Sequence, residues 1–308
     1  MMKIIPNTSG FGAEVVECPA GLKVSDDEVG QLKRAWTKHS ILCFRAVDMA
    51  PEEHVSFSRR LGALHIMTPL KFNLDGYPEV FVVSNASKAD PSRPVEGNAD
   101  GDAGLRRAGE GFHTDGEDKA VPNGGSFLYA RQVPPERGDT LFVDMYSVYE
   151  ALPPSVKELM AGRRTRYSRI DLHSTHYPLM APLTEEEKRQ RPDVYHPLAR
   201  QHPLSGRTSL YIGRWACDIE GLPPDEGKEL ITFLQDFAKQ PQFIYTHKWA
   251  PGDAVLWDNR CTQHCATGFD DTKYVRTMHR TTLEGEVPIM ARSSAGVHAA
   301  VMNEYSIS

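Results

Sequence analysis

Gly111-Phe112-His113-Thr114-Asp115-Gly116 and, far downstream, Trp257-Asp258-Asn259-Arg260-Cys261-Thr262-Gln263-His264 are the two stretches whose joint reading decides the fold. In an extended strand alternate side chains share a face at ~3.3 Å rise per residue. Positions 113 and 115 would then stand about 7 Å apart and lean onto one metal ion, with Thr114 turned the other way. His264, the third donor of such a site, lies 149 positions beyond Asp115. Only a fold that returns a late strand beside an early one closes that gap, and a barrel or jelly roll does so. Two imidazoles and one carboxylate, with no fourth protein ligand evident, match the facial triad that holds Fe(II) in non-heme oxygenases while leaving coordination positions open. The expectation is therefore an enzyme that activates dioxygen at a metal formed by His113, Asp115 and His264.

Bulk properties are compatible with this and exclude other classes. A chain of 308 residues with 40% hydrophobic and 25% charged residues builds a sizeable core, and we expect one domain over 1–308 with its core at about 41–288. A net charge of −6 offers no electrostatic footprint for nucleic acid or an anionic membrane, so a small-molecule partner is expected. Met1-Met2-Lys3-Ile4-Ile5-Pro6 lacks the apolar segment of a signal peptide, and no 18-residue apolar run could span a bilayer. Five scattered cysteines (Cys18, Cys43, Cys217, Cys261, Cys265) suit reduced thiols in a cytoplasm. Cys261 and Cys265 flank His264, but no second Cys/His pair completes a zinc set. A homo-oligomer is expected.

Along the chain, Ser25-Asp26-Asp27-Glu28 is a capping box opening a helix that ends near Ser40. Ile41 to Arg45 is a short buried strand, and Pro51 opens a helix toward Leu61-Gly62. Glu79 to Val83 is β-rich. Residues 85–110 are rich in Gly, Asp, Pro and Arg and read as a mobile, lid-like loop before the metal motif. Ser126 to Ala130 and Thr140 to Val143 are strands around a turn at 134–139, and Tyr146 to Leu159 is a helix started or interrupted by Pro153-Pro154. Thr184 starts a polar helix, Ser209 to Ile212 is a strand, and Asp225 to Lys239 is an amphipathic helix. Phe243 to Trp249, Ala254 to Trp257 and Tyr274 to Leu283 complete the core, and the tail at 289–308 is expected to be loosely packed.

His113-Thr114-Asp115, Gly138-Asp139-Thr140, His196-Pro197-Leu198-Ala199-Arg200-Gln201-His202-Pro203, Trp257-Asp258-Asn259-Arg260 with His264, and Met278-His279-Arg280-Thr281-Thr282 form an ordered set. Together they resemble the taurine dioxygenase and aryloxyalkanoate dioxygenase family over about Phe44 to Pro288. The resemblance implies an all-β core with flanking helices, a double-stranded β-helix (jelly roll, cupin-like), and dependence on Fe(II), 2-oxoglutarate and O2. It implies that Thr140 and Arg276 hold the remote carboxylate of 2-oxoglutarate, and that Arg280 lies near the metal and meets the anionic group of the substrate. Positions 276 and 280 share one strand face about 13 Å apart, and each guanidinium can grip an acid in bidentate fashion. His65 matches a substrate-anion donor of the taurine enzymes; substrate contact and a satisfied core histidine are both open readings for it. Gly116 stands where the taurine enzymes carry a bulkier aliphatic residue, and Glu117-Asp118 follow. This departure reshapes the pocket and argues against taurine, while Gly-Leu-Pro at 221–223 is nearer the aryloxyalkanoate branch.

The implied reaction consumes 2-oxoglutarate and O2, yields succinate and CO2, and hydroxylates a C–H bond of a small anionic substrate such as a sulfonate or aryloxyalkanoate. Two rivals remain at this stage: a metal-dependent hydrolase or isomerase on the same barrel, and a non-catalytic 2-oxoglutarate sensor. The other histidines need no metal: His196 and His202 are read as structural and His279 as packing on the face opposite Arg280. Arg280 as a structural ion pair is the bland alternative to substrate binding, and Trp249 and Trp257 are read as core.

Overall fold

Runs of apolar residues without polar alternation make strands that must be covered on both faces. Ile41–Phe44, Gly125–Gln132 and Ala254–Asp258 are such runs, and they lie side by side at the centre of the main sheet. The computed structural model describes residues 2–87, 90–95, 109, 111–178 and 180–292. Within them the nine-stranded main sheet runs Lys3–Pro6, Ala13–Val16, Ile41–Phe44, Ala254–Asp258, Gly125–Gln132, Thr277–Leu283, Tyr77–Ser84, Asn73–Leu74, with Leu64–His65 also paired to Thr277–Leu283. Side chains alternate between its faces. Ile41, Cys43, Leu128, Ala130, Val255, Trp257 and Met278 pack with Phe142 of a second sheet. Leu42, Phe44, Phe127, Tyr129, Ala254 and Leu256 pack the other way, onto Leu32, Trp36, Phe57 and Leu61 of the helices Asp26–His39 and Pro51–Leu61.

The second sheet orders Ile244–His247, Thr140–Asp144, Thr262–Ala266, all antiparallel. Two sheets facing each other across one apolar layer make the jelly-roll core, and helices cover the outside. Residues 145–243 leave this small sheet and return to it, since Thr140–Asp144 and Ile244–His247 are hydrogen-bonded neighbours. That excursion carries the helices Met145–Ala151, Pro154–Met160, Arg169–His176, Glu185–Arg189 and Pro224–Ala238 around its own apolar cluster, which includes Tyr167, Trp215, Leu230 and Leu234.

Local chemistry explains the element ends. Ser25 Oγ accepts from Glu28 N while Glu28 Oε2 accepts from Ser25 N at 2.8 Å, and Thr184 with Glu187 repeats the arrangement. Such a cap stabilises a helix by about 1 kcal/mol. Gly125 approaches Trp36 so closely that a Cβ would overlap the indole, which seats the first helix against the sheet. Pro154 occupies the first turn of its own helix, and so 145–160 is two helices rather than one.

The strands expected to flank one turn at 134–139 belong to different sheets, because Arg137 and Gly138, both at positive φ, carry the chain across from one to the other. The main sheet also reaches back to Lys3, outside the core expected from 41. Lys3–Pro6 is a mostly exposed edge strand whose four residues, Lys-Ile-Ile-Pro, carry no period-2 alternation. At the other end Ile289–Met290 pairs with Arg200 and Gln201, so the first residues of the expected loose tail are strand. Of the lid-like segment at 85–110, Asn85 is held against Arg276 and Tyr274, and Ser87 N bonds Arg93 O at 2.8 Å. Residues 88, 89, 96–108 and 110 of that segment and the tail beyond 292 lie outside the described residues. No helix among the described residues is long and apolar enough to cross a membrane.

Candidate functional site

His113 does not sit in a regular strand. It makes a single antiparallel bridge to His264, with His113 N to His264 O at 3.1 Å and His264 N to His113 O at 2.9 Å. The late strand Thr262–Ala266 therefore returns to the early motif as the donor spacing demanded. The chain then turns at once: Glu117 N bonds Thr114 O, Lys119 N bonds Gly116 O, and Gly116 has φ +74°. That left-handed residue is where the expected extended geometry fails, and only glycine enters it without strain. Glu117 holds the turn from inside. Its buried carboxylate accepts from Thr114 N at 2.8 Å and Trp215 N at 2.9 Å, and burial pushes its acid up to about 7. A side chain at Gly213 would overlap that carboxylate.

The donor atoms of His113, Asp115 and His264 all lie within 4.8 Å of one another, with each imidazole Nε2 at 3.9 Å from Asp115 Oδ1. Two donors bound at about 2.1 Å to one ion stand at most about 4.2 Å apart, so both pairs fit a shared first-row metal. His113 Nδ1 is 2.7 Å from Gly111 O and carries the proton there, which leaves Nε2 as a lone pair facing the cluster. His264 is walled by Trp257 and Phe142, ring centroids 4.8 and 6.2 Å away. Burial pushes its imidazole down to about 4 and that of His113 well below the usual range, so both are neutral donors at physiological pH. Burial would raise the acid of Asp115, but Arg280, the two imidazoles and Ser126 outweigh it and hold it below the usual carboxylate range. The set N, N, O⁻ from one side suits Fe(II).

Arg280 is placed on this carboxylate: its Nη1 is 3.1 and 3.3 Å from the two oxygens of Asp115, and its guanidinium lies over Phe81. Its Nε is buried without a partner among the described residues. Arg276, just before the Thr277–Leu283 strand, is buried; its Nε donates to Gly138 O at 3.2 Å. Among the described residues no carboxylate pairs with it, and burial pulls its guanidinium down to about 10. A buried cation without an acid is stable when a ligand supplies one. Thr140 lies in the same corner through the Gly138–Asp139 turn, and its Oγ1 accepts the indole N–H of Trp249 at 2.9 Å. The hydroxyl proton of Thr140 is thus left to donate elsewhere. These residues could hold the far carboxylate of a 2-oxo acid.

His65 is half-buried beside Thr282, its register partner, and its Nε2 takes a hydrogen bond from Lys119 Nζ at 3.2 Å. Burial, then the Lys119 charge, pushes the imidazole pKa down. Lys119 has no carboxylate within ion-pair distance among the described residues, so the pair offers an ammonium and an imidazole N–H to a ligand. Sequence reasoning missed Lys119, although its place four residues after Asp115 in the same turn was a signal. It also missed Ser126, whose hydroxyl donates to Asp115 Oδ2 at 2.8 Å, and which carried no signal within a strand. His196 is structural, bonding Lys119 O at 3.0 Å.

His202, Asp258 and Cys261 form a second close group. His202 Nε2 donates to Asp258 at 3.1 Å and its Nδ1 accepts from Leu204 N and Ser205 N. Arg260 grips the same Asp258 with two nitrogens, at 2.7 and 2.6 Å. No lone pair of His202 is left for an ion, and burial raises the Cys261 thiol, so this group is a structural clamp.

The model of the taurine catabolism dioxygenase TauD, TfdA family matches residues 3–282. The (S)-phenoxypropionate/alpha-ketoglutarate-dioxygenase of Sphingobium herbicidovorans is 35% identical over 297 residues, covering 92% of this chain and 95% of that protein. The alpha-ketoglutarate-dependent 2,4-dichlorophenoxyacetate dioxygenase of Cupriavidus pinatubonensis is 32% identical over 90% of this chain and 96% of its own length. Among solved structures, AAD-2 in complex with Mn(II) and N-oxalylglycine superposes with TM-score 0.81 at 28% identity, covering 94% of this chain and 98% of that one.

Proposed function

Because this chain belongs to the taurine catabolism dioxygenase TauD, TfdA family and is an Fe(II)- and 2-oxoglutarate-dependent dioxygenase, we propose that its substrate is a small organic acid of the aryloxyalkanoate kind. In this reading His113, Asp115 and His264 hold the ferrous ion. When bound, iron and 2-oxoglutarate supply a dioxygen-derived oxidant for a substrate C–H bond, with succinate and CO2 as co-products. The protein's own contribution is placement and charge.

Arg276 supplies the buried cation and Thr140 the oriented hydroxyl for the far carboxylate of 2-oxoglutarate. Trp249 sets that orientation by occupying the acceptor side of Thr140. Near the donor cluster, Lys119 with His65, and the part of Arg280 not engaged on Asp115, meet the substrate's anionic group. Gly116 keeps the turn beside Asp115 free of a side chain. The observation that carries the acidic nature of the substrate is Lys119: an ammonium hydrogen-bonded to a neutral imidazole, lacking an acid among the described residues, one turn from the donor cluster. Hydroxylation at an ether carbon next to a carboxylate would let the product collapse to a carbonyl compound and a phenol. The relatives' names point the same way, since they act on phenoxypropionate and 2,4-dichlorophenoxyacetate.

The test is oxygen uptake and succinate release over a panel of aryloxyalkanoates, sulfate esters, sulfonates and amino acids with fresh Fe(II). Aryloxyalkanoates are expected to give the highest kcat/KM, and their uncharged amides none. Preference for a sulfonate or a sulfate ester, or equal turnover of the amides, overturns the substrate reading. Asp115→Ala is expected to abolish both turnover and iron retention. We further place the protein in the cytoplasm as a homo-oligomer, on the strength of its five cysteines, none of which forms a disulfide, for the first and to be checked by light scattering for the second.

A further inference from the structure

The Asp115 carboxylate is the end of a buried hydrogen-bond chain. The indole N–H of Trp257 donates to Asn259 Oδ1 at 2.9 Å, Asn259 Nδ2 donates to Ser126 Oγ at 3.4 Å, and Ser126 Oγ donates to Asp115 Oδ2 at 2.8 Å. All four residues are buried, Ser126 fully and Trp257 and Asn259 at 1% exposure. The direction of the chain is fixed at its far end, because an indole N–H can only donate. It therefore claims the oxygen of the Asn259 amide, which turns the NH2 group toward Ser126. With its oxygen already accepting that bond, Ser126 directs its single proton at Asp115. A serine alone could rotate its hydroxyl; one fed from behind is committed.

We infer that Trp257, Asn259 and Ser126 are positioning residues that pin Asp115 Oδ2 and so present Oδ1 alone to the metal. The geometry agrees: both imidazole Nε2 atoms are nearest Oδ1 at 3.9 Å and Oδ2 takes the Ser126 proton, while Arg280 Nη1 spans the two oxygens, 3.1 Å from Oδ1 and 3.3 Å from Oδ2. A carboxylate pinned in this way leaves free the coordination positions that a chelating 2-oxo acid and a gas molecule require. Released, it could rotate and offer both oxygens. The two ends of the device come from strands paired in the main sheet, with Trp257 registered opposite Ser126, so the sheet itself sets the span.

This inference rests on the proposed role of Asp115 as a metal ligand, and the experiment separates the two. Mn(II) and Co(II) are titrated anaerobically into the metal-free full-length protein by calorimetry, for wild type, Asp115→Ala, Ser126→Ala, Trp257→Phe and the Ser126→Ala/Trp257→Phe pair. Outer-shell partners of metal ligands typically change affinity by about 10–100-fold. Ser126→Ala is expected to weaken Co(II) by that factor and to alter its visible ligand-field spectrum. Trp257→Phe is expected to weaken it less, and to add nothing once Ser126 is alanine. Should Ser126→Ala fail to fold, Ser126→Cys, a weaker donor in the same place, takes its part in the titration. Wild-type binding that survives Asp115→Ala sinks the ligand assignment. Binding that is lost in Asp115→Ala but unchanged in the Ser126 variant sinks the positioning chain alone. Additive effects in the pair also overturn it, since Trp257 would then act by its contact with His264 and not through the chain.

Discussion

Gly213→Ala adds one methyl group and is expected to destabilise the protein as much as a core cavity would. Gly213 has no left-handed backbone, so the effect is purely one of space: the new Cβ would overlap the Glu117 carboxylate. That carboxylate satisfies Thr114 N and Trp215 N at 2.8 and 2.9 Å in a site with 2% exposure. Displacing it orphans two buried N–H groups at about 1–3 kcal/mol each, a loss of roughly 2–6 kcal/mol. For a chain of this size the corresponding drop in Tm is about 3–9 °C. The assay is urea unfolding of Gly213→Ala, Glu117→Ala and the double variant. Glu117→Ala orphans the same two groups, and with the carboxylate gone the added methyl has room. The double variant should therefore be no less stable than Glu117→Ala by more than about 0.5 kcal/mol. Additive losses, or a Gly213→Ala protein as stable as wild type, refute the claim that this glycine exists for Glu117.

Further outcomes are expected at other positions. Arg276→Ala should raise the KM for 2-oxoglutarate by roughly 10–150-fold, the worth of charge-assisted hydrogen bonds of about 1.5–3 kcal/mol. The substrate KM should move little, and equal shifts in both would undo the division of labour between Arg276 and Arg280. Lys119→Met should lower kcat/KM for a carboxylate substrate by about tenfold or more while sparing the KM for 2-oxoglutarate; an unchanged kcat/KM removes Lys119 from the substrate site. Burial, with His279 adding to it, holds the His54 imidazole down to about 3, against 6.5 ordinarily. As pH falls the unfolded chain takes up that proton first, so the stability is whole above 6.5 and is lost toward 3 at up to about 1.4 kcal/mol per pH unit. His54→Gln should lose about 2 kcal/mol less than wild type between pH 6.5 and 5 in urea titrations; identical losses would show that His54 does not govern that window.

The convergence of the three candidate donors was legible because their residue types and spacing are tied to chemistry: His113, Asp115 and His264 meet, and the early and late segments join by a direct backbone bridge. Helices with written punctuation were equally legible, as at Ser25-Glu28, Pro51 and Thr184-Glu187. What escaped had no local signature. The turn at Asp115–Asp118 follows from Gly116 and from Glu117 bonding Trp215, a partner 98 residues away. Ser126 reads as any small strand residue until Asn259 and Trp257 arrive behind it. Arg280 was assigned to an incoming anion, and the structure shows that an internal one, Asp115, already engages one of its nitrogens. Trp249 read as core because a Trp in an apolar run usually is, yet its N–H points at Thr140.

Because residues 145–243 depart from and rejoin adjacent strands, the helical excursion is in topological terms an enlarged hairpin loop. Its ties to the barrel near the donor cluster include Glu117 to Trp215 N, Gln263 to the carbonyl of Ile212, His202 to Asp258, His196 to Lys119 O, Arg169 to Asp118 and Ser209 to Arg260 O. Such an arrangement makes the lobe exchangeable. Changes in its outer helices can diversify what the enzyme accepts while the oxidising centre is inherited intact, provided the attachment points at 169, 196, 202, 209 and 212–215 are carried along.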